Sequence, residues 1–309
     1  MEHSLSPQLF RLLFDELGIQ AEYRALETKP AELGRRVQSV RAGELGGLSV
    51  TLPHKETIIP LLDELAPTAA LLGAVNCVAS NGPRVFGHNT DGRGFELALD
   101  RAGVKLAGAR VLILGAGGAA RAAAFSAAQA GARSIVIANR TPARADALAT
   151  DLVARGLAQA AAGHRAESRA AGGVSSFGPG GQLTFHGPAT SARSSAPAGV
   201  VYVLPLSASA LAEERADILV NATSVGLDSS ADPLPESFRL DGTHAVLDMV
   251  YRPLQTALLS RAGAKGIVAI DGVWMLVYQA LEQLRIWTSR SVAADLAARL
   301  HSKLCEEAG

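Results

Sequence analysis

Two cysteines, Cys77 and Cys305, are too few for a disulfide framework, and neither belongs to a C-x-x-C or other metal-ligand cluster. No apolar run approaches the roughly 20 residues of a membrane helix. The N-terminus also lacks the apolar stretch of a secretory signal, which points to a cytoplasmic protein. A surplus of charge of either sign is missing as well: 29 basic residues meet 29 acidic ones, and the pI is near 7.1. That balance excludes the basic face expected of a nucleic-acid or anionic-membrane binder. What is present is an apolar-rich chain of 309 residues, long for one core and sufficient for two domains.

Residues 1–102 alternate helix and strand patterns. Pro7 to Leu17 is an amphipathic helix, with Ser6 placed to cap it, Pro7 in the first helical position and Gly18 at its end. A strand is expected over Ala21 to Leu26, a helix from Pro30 to Ala42, and a strand over Gly47 to Leu52 that stops at Pro53. The chain re-enters a helix at His54. Ala74 to Ala79 and Arg84 to His88 read as a hairpin about Asn81-Gly82, and Asp91 caps a helix reaching Arg101. Residues 103–272 form a second alternating series, with strands at 111–115, 134–139, 200–204, 217–222, 245–250 and 267–270. That is the pattern of a doubly wound parallel sheet. Residues 273–309 are helical and long enough to reach back to the first domain. Between 156 and 199 the composition turns to Ala, Gly, Ser and Pro, which reads as a loose insertion without chemistry.

The clearest chemical signal opens the second series. Val111 to Leu114 is a buried strand, and Gly115-Ala116-Gly117-Gly118-Ala119-Ala120 follows it as a G-x-G-x-x-A turn into an Ala-rich helix. A Rossmann unit seats a pyrophosphate there, on free N–H groups at a helix N-terminus. The next strand ends in Asn139-Arg140-Thr141. An acidic residue at this point would grip a ribose 2′-hydroxyl, whereas Arg140 suits a 2′-phosphate. Thr141-Pro142 starts a helix that brings Arg144 within reach of the same dianion, or leaves it on a salt-bridged surface. The cofactor expected is NADP(H). Asn221 to Gly226 closes another strand with small polar residues, among them Thr223 and Ser224, suited to lie beside a nicotinamide ribose.

Other candidates stand in the first series. Lys55, in the first turn of a helix, opposes the macrodipole, an arrangement suited to moving a proton, although an ordinary solvated lysine fits the same pattern. Asp91 sits at a strand-to-helix junction, where open α/β proteins collect ligand groups and where a simple cap is also expected. Asn76 is a polar residue in an apolar setting, either a turn residue or a ligand contact. Ser4 and Ser6 offer two hydroxyls before a helix, for an anion or for capping. Gln279 is an amide in an apolar helix, which needs either a ligand or a polar neighbour.

Taken together these segments resemble the shikimate dehydrogenase family over nearly the whole chain. The family's H-S-x-S-P is found at His3 to Pro7, N-V-T-x-P-x-K at Ser49 to Lys55, A-V-N-T at Ala74 to Cys77 and N-T-D-G at Asn89 to Gly92. G-A-G-G-A spans Gly115 to Ala119, N-R-T-x-x-R-A Asn139 to Ala145, and N-A-T-S-x-G Asn221 to Gly226. D-x-V-Y-x-P runs from Asp248 to Pro253, and the G-x-x-M-L-x-x-Q helix from Gly272 to Gln279. The resemblance implies an α/β fold, an N-terminal substrate domain followed by a doubly wound Rossmann NADP-binding domain. It also implies reversible reduction of 3-dehydroshikimate to shikimate with NADPH.

Carried over by position, Lys55 and Asp91 form the catalytic pair, and Ser4 and Ser6 bind the substrate carboxylate. Thr51, Asn76, Asp91 and Gln279 hold the ring hydroxyls, with Tyr251 nearby. The cofactor falls to Gly115, Ala116, Gly117, Gly118, Ala119, Asn139, Arg140, Thr141, Arg144, Thr223, Ser224 and Gly272. The expected partner is a small-molecule substrate, with no nucleic acid and no membrane, and a homodimer is compatible with the pattern. No metal is implied. The departures are Ser49 for the family's Asn, Cys77 for Thr, Trp274 for a Gly, and the long 156–199 insertion. The family also has a strand and a G-x-P-I turn ahead of H-S-x-S-P. Only two residues precede His3 here, so the substrate sheet is expected to lack its first strand. Two other readings stay open: a quinate/shikimate enzyme, and a non-catalytic NADP-binding relative that the short N-terminus would favour.

Overall fold

The computed structural model describes residues 4–160, 199–227, 229–293 and 295–308. His3 and most of the expected insertion lie outside these residues. The first part builds a small sheet. Helix α1 (Ser6–Leu17) and helix α2 (Leu33–Arg41) precede strand β1 (Leu48–Ser49). After α3 (His54–Thr57), β2 (Glu64–Leu65) and α4 (Pro67–Leu72) comes the hairpin of β3 (Cys77–Asn81) and β4 (Arg84–His88). The strand order is β1-β3-β4-β2, with β2 parallel to β4 and the other pairs antiparallel. Gly82 turns the hairpin with φ 59°, a conformation that favours glycine. Helix α5 (Asp91–Arg101) leads out of β4.

The second part is a seven-stranded parallel sheet. Its elements in chain order are β5 (Arg110–Leu114), α6 (Gly118–Gln129), β6 (Ser134–Asn139), α7 (Pro142–Ala154), β7 (Ala158–Ala160), β8 (Gly199–Pro205), α8 (Ala208–Leu211), β9 (Ile218–Asn221), β10 (Ala245–Asp248), α9 (Ala257–Gly263) and β11 (Val268–Ile270). Their order across the sheet is β11-β10-β9-β5-β6-β8-β7. The direction of winding reverses between β5 and β9, and ligands bind at the strand ends of such a switch point. Fully apolar strands such as Val111-Leu112-Ile113-Leu114 are explained by helices covering both faces of the sheet.

Helix α10 (Gly272–Thr288) returns across both parts and contacts α5, α1, β3 and helix α11 (Leu296–Ala308). Its apolar side joins the same core as Phe10, Phe95 and Val111. Trp287 anchors its end: Nε1 donates to the Val78 carbonyl at 2.9 Å, and the indole lies where a Cβ on Gly47 would stand.

Several expectations are corrected. Residues 21–26 belong to no sheet, because among the described residues no strand lies beside them to complete a ladder. The segment is held instead by stacking of Tyr23 on Phe10 at 4.3 Å and by the Thr28 carbonyl against the His54 ring at 2.8 Å. The strand expected over 47–52 is two residues long. Ser6 is not the cap of α1; it is the first helical residue, and the Ser4 hydroxyl accepts its N–H at 3.3 Å. Asp91 likewise lies inside α5, with Thr90 in the cap position. The 156–199 stretch is not all loop: residues 158–160 pair in parallel with β8 at the sheet edge, and Gly199 begins β8. The helical tail breaks at Ser289, whose φ of 56° ends α10.

Candidate active site

Lys55 on α3 and Asp91 on α5 come from separate segments of the first part and meet. Pro53 ends the extended run and α3 begins at once, which lifts Lys55 into position. Asp91 opens α5 directly after β4. Lys55 Nζ donates to Asp91 Oδ2 at 2.6 Å, with side-chain exposures of 17% and 5%. The other carboxylate oxygen accepts from Asn76 Nδ2 at 2.8 Å. Asn76 is itself fixed, since its Oδ1 accepts the Thr90 N–H at 2.8 Å and its backbone N–H reaches the His88 carbonyl at 3.0 Å. Asn89 completes the frame by accepting the Asp91 N–H at 3.0 Å and donating to the Ala74 carbonyl at 3.0 Å. A cation and a carboxylate, both largely desolvated and held by neutral amides, form a rigid unit suited to giving and taking one proton.

Behind this unit lies a polar row that the sequence did not reveal. Gln283 is buried on α10. Its Oε1 accepts from the Ser49 hydroxyl at 2.6 Å, and its Nε2 faces the Asn76 carbonyl and the Thr90 hydroxyl, each at 3.5 Å. The hydroxyls of Ser49 and Ser6 stand beside the Tyr23 phenol, which burial pushes up from its ordinary value and those two hydroxyls partly restore. The row therefore extends from Ser6 to Asp91. Its one legible sign is that Gln283 follows Gln279 by one helical turn, on the same face of a largely apolar helix. Gln279, half-buried on α10, packs against α5 one turn from Asp91, where its Cγ occupies the space that a Cβ on Gly94 would need. Cys77, in place of the family's Thr, is fully buried, and burial pushes its thiol well up, so it serves as a small neutral core residue.

Thr51 is exposed four residues ahead of Lys55, and Ser4 is half-buried just before α1. None of the hydrogen bonds among the described residues joins either of them to the Lys55–Asp91 pair. Tyr251 follows β10 and is half-buried; burial raises its phenol and the nearby Arg252 lowers it.

At the switch point Gly115 has φ 105°, and a Cβ there would stand 2.9 Å from the Ala222 carbonyl. The glycine turn and the Asn221–Gly226 loop therefore pack backbone to backbone. Gly117 and Gly118 face open space, and no side chain caps α6. That is a cradle with free N–H groups, which fits a pyrophosphate. Ala116 and Ala119 flank it. Arg140 and Arg144 are exposed at the end of β6 and the start of α7, and neither enters an ion pair among the described residues. Two free guanidiniums beside the cradle fit a 2′-phosphate. Asn139 braces the turn by donating from Nδ2 to the Thr141 carbonyl at 2.8 Å. Gly272 admits no side chain, because a Cβ would meet the Met249 carbonyl at 2.6 Å.

The loop that carries Thr223 and Ser224 is fixed from below. Asn221 accepts the Thr223 hydroxyl at 2.7 Å and donates to Asp248 at 2.8 Å. Asp248, wholly buried, also accepts from the Val250 N–H at 3.0 Å and the Thr256 hydroxyl at 2.7 Å. Burial nonetheless raises its carboxyl above the ordinary range, against the lowering effect of those donors. No group of three or more potential metal ligands occurs among the described residues.

Comparison with known proteins places this geometry. Three family models match: the shikimate dehydrogenase substrate-binding domain over residues 1–78, shikimate/quinate 5-dehydrogenase over 96–162, and the shikimate 5′-dehydrogenase C-terminal domain over 272–297. A shikimate dehydrogenase (NADP(+)) of Thermococcus kodakarensis is 38% identical across 93% of this chain and 87% of its own. The shikimate 5-dehydrogenase of Thermus thermophilus, solved with NADP(H) and shikimate, superimposes with a TM-score of 0.74 at 34% identity, covering 98% of this chain and 95% of that one. The 5-ketofructose reductase of a Gluconobacter species also superimposes, with a TM-score of 0.72 at 31% identity and coverages of 98% and 94%. With a relative this similar over almost the full length, and with the family's motifs folded around one ion pair and one glycine cradle, the chain belongs to the shikimate dehydrogenase family.

Proposed function

We propose that this chain is an NADP-dependent shikimate dehydrogenase that interconverts 3-dehydroshikimate and shikimate, a step of aromatic amino-acid biosynthesis. The observation that carries the reading is the Lys55–Asp91 pair, 2.6 Å apart and braced by Asn76. Residues 1–102 serve as the substrate domain, 103–272 as the cofactor domain, and 273–309 as helices packing back on the first. The relatives named as NADP(+) enzymes support NADP over NAD, and so do the paired Arg140 and Arg144; a Listeria monocytogenes relative solved with shikimate and NAD makes the NAD⁺ arm of the assay below decisive.

NADPH, when bound by the glycine cradle, Thr223, Ser224 and Gly272, supplies the hydride. Lys55 protonates the oxygen of the reduced carbonyl, and in the reverse direction it takes that proton back. Asp91 holds the ammonium in place and accepts from a neighbouring ring hydroxyl. Asn76 keeps the carboxylate from turning. Gln279 and Thr51 bind further hydroxyls, Ser4 and Ser6 take the carboxylate of the substrate, and Tyr251 lies nearby. The enzyme is cytoplasmic on this reading, and a homodimer is its oligomeric state, which sedimentation equilibrium tests.

The decisive assay follows NADPH absorbance with shikimate or quinate as reductant and NADP⁺ or NAD⁺ as oxidant. Turnover is expected to be fastest with shikimate and NADP⁺. Preference for quinate, preference for NAD⁺, or no turnover with any combination overturns the proposal.

A further inference from the structure

Arg121 lies one turn into α6, the helix that begins at the glycine cradle, and none of the roles above uses it. Its guanidinium leaves its own helix in two directions. Nε donates to the Leu72 carbonyl, and Nη2 reaches the Asp151 carboxylate on α7. Phe125 supports the group from 4.9 Å, and Arg155 holds the second oxygen of Asp151 at 2.8 Å. Leu72 is the last residue of α4, so its carbonyl is one of the acceptors a helix leaves unpaired at its C-terminus, where a cation is favoured. The next residue, Gly73, is left-handed at φ 61°, and Arg121 Nη2 stands 3.9 Å from where its Cβ would be.

The residues after Gly73 hold the catalytic pair. The Ala74 carbonyl accepts from Asn89 Nδ2 at 3.0 Å, and the Val75 N–H donates to the carbonyl of Lys55 itself at 2.8 Å. Asn76 then reaches Asp91 at 2.8 Å. Arg121 therefore joins two helices that start at the cofactor's charged groups, α6 at the cradle and α7 beside Arg140 and Arg144, to the strut on which Lys55 and Asp91 are set. We propose that Arg121 is a positioning residue that sets the proton-transfer pair in register with the bound cofactor. It acts through Leu72 and Asp151, and the inference rests on the site assignment made under the proposed function.

The test uses the full-length enzyme carrying Arg121→Ala, Arg121→Lys, Asp151→Asn or Asp151→Ala. A misplacement of about 1 Å can cost on the order of 100-fold in rate, so Arg121→Ala is expected to lower kcat about tenfold or more. The Kd values for NADP⁺ and for shikimate, each titrated alone, should change by less than about threefold. With hydride transfer slowed, the isotope effect on kcat with C4-deuterated NADPH rises. Arg121→Lys keeps a cation for Asp151 but cannot bridge to Leu72 at the same time, and it gives a smaller loss with the same rise in isotope effect. Asp151→Asn keeps an acceptor and most of kcat, whereas Asp151→Ala does not. The proposal is overturned by a kcat within about twofold of the parent, by a loss matched by weaker NADP⁺ binding, or by a loss that tracks folded enzyme with an unchanged isotope effect. Lys55→Ala, run alongside, separates the two levels: retained turnover there defeats the site assignment itself, whatever Arg121 does.

Discussion

Replacing Lys55 by Ala probes the energetics and the chemistry of the central pair together. Removing one partner of a buried ion pair costs about 3–5 kcal/mol when the stranded charge has no other support. Asp91 retains two supports here: the Asn76 amide at 2.8 Å, and a position in the first turn of α5. The amide bond to a carboxylate is worth about 1.5–3 kcal/mol and the helix terminus about 0.3–1 kcal/mol. Setting these against the cost leaves a net loss of about 1 kcal/mol, which for a chain of this size lowers Tm by about 2–4 °C.

The double variant Lys55→Ala/Asp91→Asn sharpens the test. It removes the stranded charge while leaving an oxygen for Asn76, so it is expected to be more stable than Lys55→Ala alone. The two substitutions are then non-additive by about 1 kcal/mol in a urea-unfolding cycle. Activity behaves differently. A positioned acid–base contributes about 100- to 10,000-fold, so kcat falls by that factor in Lys55→Ala and does not return in the more stable double variant. Shikimate binding changes little in Lys55→Ala. Additive stabilities would show that the pair is not coupled, and a kcat near that of the parent would remove Lys55 from the chemistry.

Arg140→Ala is expected to raise KM for NADPH by roughly 10- to 100-fold, as loss of a charge-assisted bond to a dianion requires, and to leave NADH within about twofold; equal effects on both cofactors would refute the phosphate role. Asp248→Asn gives a pH-dependent result. Burial raises the Asp248 carboxyl in the folded state, so the native protein holds that proton more tightly than the unfolded chain does, and stability falls as pH rises from the ordinary carboxylate value through the raised one. The parent therefore gains on Asp248→Asn as the solution is acidified through that window, and a stability difference flat across it would refute the assignment.

What could be read from the sequence follows from where its chemistry sits. The glycine turn, Arg140 and Asp91 all lie at the ends of strands, and an apolar run closed by small or charged residues announces such a point without knowledge of the partner strand. Long-range pairing decided the rest. Residues 21–26 alternate as a strand should, yet a strand exists only where a neighbour completes its ladder, and none does among the described residues. Ala158-Gln159-Ala160 has little β-propensity, yet it is a strand because Val200 and Val201 lie beside it. The same logic hid Gln283. An amide on an apolar helix shows that a polar partner is needed, but not that the partners are Ser49, Asn76 and Thr90, which come from three separate segments. It also hid the correction at Asp91. As a cap its carboxylate would have turned back to its own helix, and the shift of one residue, with Thr90 in the cap position, leaves both oxygens for Lys55 and Asn76. That single residue of register separates a helix-capping aspartate from one able to take part in proton transfer.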